Sequence, residues 1–343
     1  MHVIEGRTSD EVWRTAATKI LRQEGTLRQP SRIGDTLELL HTCLVIRDPR
    51  ERWVLNRRPA MNPAFALAEV VWILSGRDDS GFLNFWNPIL PRFAGRGPLY
   101  YGAYGHRLRH RFGVDQIRLA FESLRALPDS RQVVLQIWDA ASDLPIETGQ
   151  PRSEDIPCNV CALLKIRDGR LEWVQVMRSN DLKLGWPHNV VQFTTLQEMM
   201  AGWLRIELGS YTHFSDSLHV YTDQLEGLVE AVPLALDLNS DRWDLTYADT
   251  METIADIGQR MDMIRSSARD ATVIRHQGSH QYPSQAATNA LTLIAADAAR
   301  RADAPDLAIE LADRCSNPIL RQLWRRWSER RQAATEEPDA DES

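Results

Sequence analysis

The chain has 343 residues, a net charge of −7 and cysteines at 43, 158, 161 and 315. An acidic balance, with no basic run to track a phosphate backbone, argues against nucleic acid as a partner and suits free nucleotides better. The cysteines make no disulfide framework, no apolar run approaches about 18 residues, and the start MHVIEGRTSDEVW lacks the order of a leader, so a soluble protein of the reducing cytoplasm, with no membrane partner, is expected.

Ser9 to Gln23 carries apolar residues at Val12, Ala16, Ile20 and Leu21 and reads as an amphipathic helix. The segment TLRQPSRIGDTLELL leaves a loop, which contains Arg32, and enters a strand over Leu37 to Ile46. Ala64 to Leu74 reads as a buried helix with one acid in it. A carboxylate amid Ala, Val and Trp is costly unless paired or neutral, so Glu69 needs a partner or a proton. Gly76 to Gly97 offers Trp86-Asn87-Pro88, and the run YGAYGHRLR follows with Tyr104 at its centre. A helix over Val114 to Leu127 ends at Pro128, Arg131 precedes a strand over Gln132 to Trp138, and a polar loop from Asp139 to Asp155 delivers Pro157-Cys158.

Asn159 to Ile166 and Leu171 to Met177 are strands joined by Asp168-Gly169, the strongest short hairpin signal. Cys158 and Arg178 therefore fall at one open end of the pair. A guanidinium beside a thiol favours the thiolate, which makes Cys158 a candidate nucleophile. Cys158-x-x-Cys161 also fits a redox or zinc pair, but no second paired motif supplies further ligands, so no metal is expected and Cys161 reads as a strand residue. Ser179 and Asp181 follow, then a turn at Gly185-Trp186-Pro187, with Asn189 opening a wide apolar helix over Val190 to Leu208. His219 and Tyr221 sit in an alternating strand. Helical stretches at Thr250 to Arg269, Ala286 to Arg301 and Asp306 to Gln332 precede the acidic tail EEPDADES, which reads as disordered. In the last helix Trp324 and Trp327 share one face among arginines, which places them inward.

In order, Pro157-Cys158, Arg178-Ser179-x-Asp181, Leu184-Gly185-x-Pro187-x-Asn189 and Asp216-x-x-His219-x-Tyr221 resemble the successive signatures of the thymidylate synthase family. The resemblance runs from about Ser31 to Leu225. It implies an α/β (α+β) fold, a mixed sheet with surrounding helices in a catalytic domain over 1–230. A mainly helical C-terminal region over 231–332 and a tail over 333–343 lie beyond that domain.

The resemblance also implies roles. Cys158 would add to C6 of a pyrimidine, Glu69 of Glu69-Val70-Val71-Trp72 would relay protons through water, and Tyr104 would stand near the cysteine. Arg32, Arg178 and Ser179 would hold the nucleotide phosphate, His219 and Tyr221 the sugar hydroxyl, and Asp181 the pterin of methylenetetrahydrofolate. Arg131 would cross a homodimer interface to the partner's phosphate. The sequence departs from the family's pattern where Gln132 replaces a second arginine, where Asn159 replaces a histidine, in the 76–97 region of cofactor-stacking tryptophans, and at the C-terminus. Asn189 is an amide that can accept from N3–H and donate to O4, the pattern of uracil, where a carboxylate suits cytosine.

The activity implied first is methylation of dUMP to dTMP. A 5-hydroxymethyltransferase of the same family, acting on dUMP, dCMP or CMP, is the alternative, and a nucleotide-binding regulator without catalysis is a third.

Overall fold

A computed structural model describes residues 1–230, 233–267 and 269–336. Its centre is an eight-stranded mixed sheet in the order β1 (His2–Gly6), β3 (Gly34–Ile46), β8 (Glu207–Tyr221), β6 (Arg170–Met177), β5 (Asn159–Arg167), β4 (Val134–Gln136), with β2 (Leu27–Ser31) paired to β3 and β7 (Asn180–Asp181) to β8. Strand β1 (His2–Gly6) leads into α1 (Ser9–Leu21), which starts where the sequence places it. The Thr8 hydroxyl accepts from Glu11 N, and the Glu11 carboxylate accepts from Thr8 N, so the first turn's free amides are satisfied reciprocally. The following segment is a strand rather than a loop: β2 (Leu27–Ser31) pairs antiparallel with β3 (Gly34–Ile46), and Arg32 sits at the tip of that hairpin.

Helix α2 (Pro63–Leu74) begins with proline at its first turn and an Asn62 side chain accepting from Ala64 N and Phe65 N. Every residue of α2 is buried except Glu69. Short helices α3 (Ser80–Trp86), α4 (Pro91–Ala94) and α5 (Tyr104–His106), a π-helical turn over Arg107–Arg111 and α6 (Gln116–Ala126) lead to β4 (Val134–Gln136). The strand expected over Gln132 to Trp138 is thus shorter. Gln136 is its last paired residue, because Ile137 N and Trp138 N both turn to Val160 O at 3.0 Å.

Beyond α7 (Ala140–Asp143), β5 (Asn159–Arg167) and β6 (Arg170–Met177) form the expected hairpin. Asp168 (φ +49°) and Gly169 (φ +70°) are both left-handed, which matches the twist of the two strands. A register shift between Asn159 and Cys161 marks a bulge next to Cys158, a device that re-aims side chains at a strand end.

Strand β7 (Asn180–Asp181) precedes α8 (Gly185–Leu204), and β8 (Glu207–Tyr221) closes the sheet between β3 and β6. The helix starts earlier than Val190, so Asn189 lies inside it. It ends earlier than Leu208 because Arg205 turns left-handed (φ +55°) and frees the chain to enter β8.

The C-terminal part is helical, with α9 (Tyr247–Ser266), α10 (Ala271–Gly278), α11 (Gln285–Arg301), α12 (Pro305–Asp313) and α13 (Pro318–Glu336). The single helix expected over Asp306 to Gln332 is two, broken before Pro318, whose missing N–H and ring disfavour continuation. Trp324 and Trp327 pack inward, 5.4 Å apart, and the Arg300 guanidinium lies 4.7 Å over Trp327. Helix α2 touches α8 on one side and α9, α11 and α13 elsewhere, so these helices share its core. Of the tail expected over 333–343, residues 333–336 form the end of α13 and 337–343 lie outside the described residues, as do 231, 232 and 268.

Candidate active site

The open end of the β5–β6 hairpin holds Cys158 and Arg178, as their spacing predicts. Arg178 N donates to Cys158 O at 2.9 Å, which extends the strand ladder by one rung. The Arg178 guanidinium donates from Nε to Pro157 O and from Nη2 to Ile156 O, both at 3.0 Å, and its carbon lies 5.5 Å over the Trp138 ring. Backbone carbonyls thus aim the cation, and its Nη2 reaches Cys158 Sγ at 4.0 Å.

The effect on the thiol differs from the sequence expectation. Burial is the largest influence on Cys158 and raises its pKa above the usual 9.0. Arg178 pulls it down, but Asp155 and Asp181 push it up again. Cys158 keeps an opening to solvent while protein surrounds it on the other sides, so its thiol is mainly protonated at neutral pH.

Three neighbours complete this wall. Tyr104 is pushed up by burial first, and the neighbouring Cys158 and Asp155 add to that shift. Asp155 accepts from Gly102 N at 2.7 Å, and burial raises its pKa. The backbone there is close: a Cβ on Gly102 would meet Asp155 O at 2.9 Å, which requires glycine at that position. Asn159, next to the nucleophile, is fully buried and turned into the sheet, where its Oδ1 accepts from Gln175 Nε2 at 2.6 Å. That contact takes it out of proton handling at the thiol.

The opposite wall comes from α2 and α8. Glu69 Oε2 lies 2.9 Å from His188 Nδ1, and both side chains are only about one-seventh exposed, at 15% and 14%. Their approach is close but too bent for an ordinary hydrogen bond, so the two groups face each other without one. The ring of His188 also stacks obliquely on Phe65, 5.1 Å between centroids. This answers the need for a partner that Glu69 showed in the sequence, and His188 is the group sequence reasoning missed. Asn189, one residue on, is buried, and its Nδ2 donates to Asn180 Oδ1 at 3.4 Å.

Asp181 starts the turn into α8, its Oδ1 accepting from Lys183 N at 2.7 Å and Leu184 N at 2.8 Å. Burial raises its pKa, and the backbone amide of Leu184 and then the neighbouring His219 oppose that. Asp181 and His219 are cross-strand partners in the β7–β8 ladder. His219 and Tyr221 project to one face of β8 with rings 5.6 Å apart, and Tyr221 feels the charges of Asp181, Cys158 and Arg32. Arg32 reaches across from its hairpin tip, donating to Glu154 O and Phe93 O at 3.2 Å each. Ser179 is half-buried beside Arg178.

Cys158, Tyr104, Glu69, Arg178, Ser179, Asn189, Asp181, His219, Tyr221 and Arg32 therefore belong to one region. Arg131 does not. It is exposed ahead of β4, where Val134 pairs with Leu163, so it stands beside the turn end of β5. Cys158 is at the other end of that strand, roughly 25 Å away at about 3.3 Å per residue. Trp86, in the expected cofactor region, is fully buried and packs edge-on against Phe85 at 4.6 Å. It presents no open face for stacking.

Residues 19–278 match the family described as thymidylate synthase. The chain is 31% identical over 274 residues to a deoxyuridylate hydroxymethyltransferase of Bacillus phage SP01, covering 76% of this chain and 70% of that protein. It is 34% identical over 189 residues to a protein of the same description from Pseudomonas phage M6, covering 54% of this chain and 52% of the relative. A thymidylate synthase of Symbiobacterium thermophilum is 33% identical over 174 residues, covering 46% and 59%. With a mixed sheet of the implied kind and the ordered motifs gathered at one end of it, the chain belongs to the thymidylate synthase family and is a C1 transferase.

Proposed function

We propose that the chain transfers the one-carbon unit of methylenetetrahydrofolate to C5 of dUMP through a covalent Cys158 adduct at C6. The observation that carries this is Cys158 held 4.0 Å from Arg178 on the sheet, in one region with the base-reading amide Asn189 on α8. C5 of uracil is a poor nucleophile until a group adds at C6. Addition of the Cys158 sulfur there loads the ring's electrons toward C5 and O4. Because burial favours the protonated thiol, its proton passes to water as sulfur attacks C6, and Arg178 stabilises the sulfur while it carries negative charge.

Asn189 accepts from N3–H and donates to O4, where charge develops. Glu69, paired to His188, holds the water that exchanges protons with the ring. Arg32, Arg178 and Ser179 take the phosphate, His219 and Tyr221 the sugar hydroxyl. Asp181 suits a pterin, since a carboxylate with one oxygen fixed by backbone amides still has a second to accept ring N–H groups. The folate supplies the carbon unit and, for a methyl product, the hydride. A homodimer with Arg131 donated across the interface fits the distance of that residue from its own Cys158.

Methylation to dTMP is the first reading. Hydroxymethylation is the second, and the descriptions of the phage relatives favour it, together with the Glu69–His188 pair, a carboxylate and an imidazole placed where they can hold and deprotonate water. Mass spectrometry of purified protein with methylenetetrahydrofolate and equimolar dUMP, UMP, dCMP and CMP separates them. A methyl mass on dUMP with rising dihydrofolate absorbance means thymidylate synthesis. A hydroxymethyl mass on dUMP without dihydrofolate means the second reading, and reaction of a cytosine nucleotide alone overturns the substrate.

A further inference from the structure

Beneath Asn189 runs a file of buried polar side chains that the chemistry above does not use. Asn189 Nδ2 donates to Asn180 Oδ1 at 3.4 Å, Asn180 Nδ2 lies 2.8 Å from His213 Nε2, and His213 Nδ1 lies 3.1 Å from the Tyr211 hydroxyl. Asn180, His213 and Tyr211 are all buried, the last two completely. A side-chain amide can be turned end for end at little cost unless its neighbours forbid it, and these neighbours do.

The Met177 sulfur stands 3.0 Å from Asn180 Nδ2 and 3.6 Å from Asn189 Nδ2. A thioether accepts and never donates, so it favours nitrogen over oxygen at both places. Burial pushes the His213 pKa down to about 3, so its ring is neutral and one of its nitrogens must accept. With Asn180 donating to Nε2, the ring proton belongs on Nδ1, facing Tyr211. Gly185 closes over the junction: a Cβ there would come within 3.1 Å of Asn180 Oδ1 and 3.6 Å of Asn189 Nδ2.

We infer that Asn180 and His213, together with Met177, fix the sense of the Asn189 amide and thereby set which pyrimidine the site accepts. They are positioning residues, acting on the base through Asn189, and the inference rests on the proposed role of Asn189 as the base reader. Held this way, Asn189 has one N–H engaged below. Its second N–H and its Oδ1 are fixed relative to each other, one donor beside one acceptor. Reversal would exchange that pair and invert the preference between a uracil edge and a cytosine edge.

The test is equilibrium titration of dUMP and dCMP, without folate, into the full-length protein and its Asn180→Ala, His213→Phe, Met177→Leu and Asn180→Asp variants, with thermal melts to verify folding. The quantity read is the dCMP Kd divided by the dUMP Kd. It is expected to fall about tenfold in Asn180→Ala and His213→Phe, and less in Met177→Leu. Asn180→Asp retains an acceptor toward Asn189 Nδ2 and should keep the ratio. A purely structural role would weaken both nucleotides equally, so an unchanged ratio in the folded variants overturns the inference. Met177→Leu conserves volume and decides the matter if the other variants do not fold. A wild-type ratio at or below one sinks the uracil reading instead, and the relay then stands or falls on whether the ratio still moves.

Discussion

The two walls of the site are built by different means. On the sheet wall, Arg178 is aimed by the carbonyls of Ile156 and Pro157, and Cys158 is placed by a strand rung and a bulge. On the helix wall, Glu69 is held by His188, and Asn189 by Asn180, which in turn meets His213. Main-chain anchors survive changes of neighbouring side chains, whereas side-chain anchors fail when any link is replaced. The sheet wall is therefore robust and local, and the helix wall is tunable and distributed.

The strongest test of this contrast is Cys158→Ala, expected to lower turnover by on the order of 10⁴ or more while dUMP still binds, measured by product mass and by titration. Next comes Glu69→Gln, expected to cost about 10²–10³ in kcat through lost proton handling. His188→Phe should cost about tenfold in kcat with little change in nucleotide Kd, because it acts through Glu69. If His188→Phe leaves the pH–rate profile unmoved, the helix wall is less distributed than described.

Asn189→Asp should shift preference toward dCMP by about tenfold, read as a ratio of kcat/KM values. The smallest effect expected is on thiol reactivity. Burial raises the Cys158 pKa, so alkylation by iodoacetamide should be slow at neutral pH and keep accelerating as pH passes 9.0. Arg178→Gln removes the group that lowers it, and should slow alkylation several-fold further at pH 8. The same shift carries a stability sign. The folded chain holds this proton more tightly than the unfolded one, so that contribution is complete below the unfolded pKa and is lost as pH rises through the folded value.

What the sequence revealed follows the same division. Asp168-Gly169 announced the hairpin, and with it the meeting of Cys158 and Arg178, because turn chemistry and strand period are local. Glu69 announced itself as an acid among apolar neighbours, but nothing nearby named His188 as its partner, since the two lie on different helices. Asn180, His213 and Asp155 were illegible for the same reason: each matters through a contact that only the tertiary fold creates. The direction of the thiol pKa was misread because the sequence shows the guanidinium that lowers it and hides the burial that raises it. The split before Pro318 was readable from proline's missing N–H, whereas the left-handed exit at Arg205 was not, because a non-glycine residue adopts that conformation only when its surroundings impose it.

The position of α2 has a consequence for how the chain can be cut. It bears Glu69 and touches α8, while α9, α11 and α13 cover it elsewhere, and apart from Glu69 every one of its residues is buried. A fragment ending after β8 would leave a helix of Ala, Val, Leu and Trp facing water, and exposed apolar surface of that extent drives aggregation. The helices beyond β8 are thus what keeps α2, and Glu69 on it, in place. Truncation from the C-terminus should abolish solubility and turnover together, and the intact chain should melt in one transition.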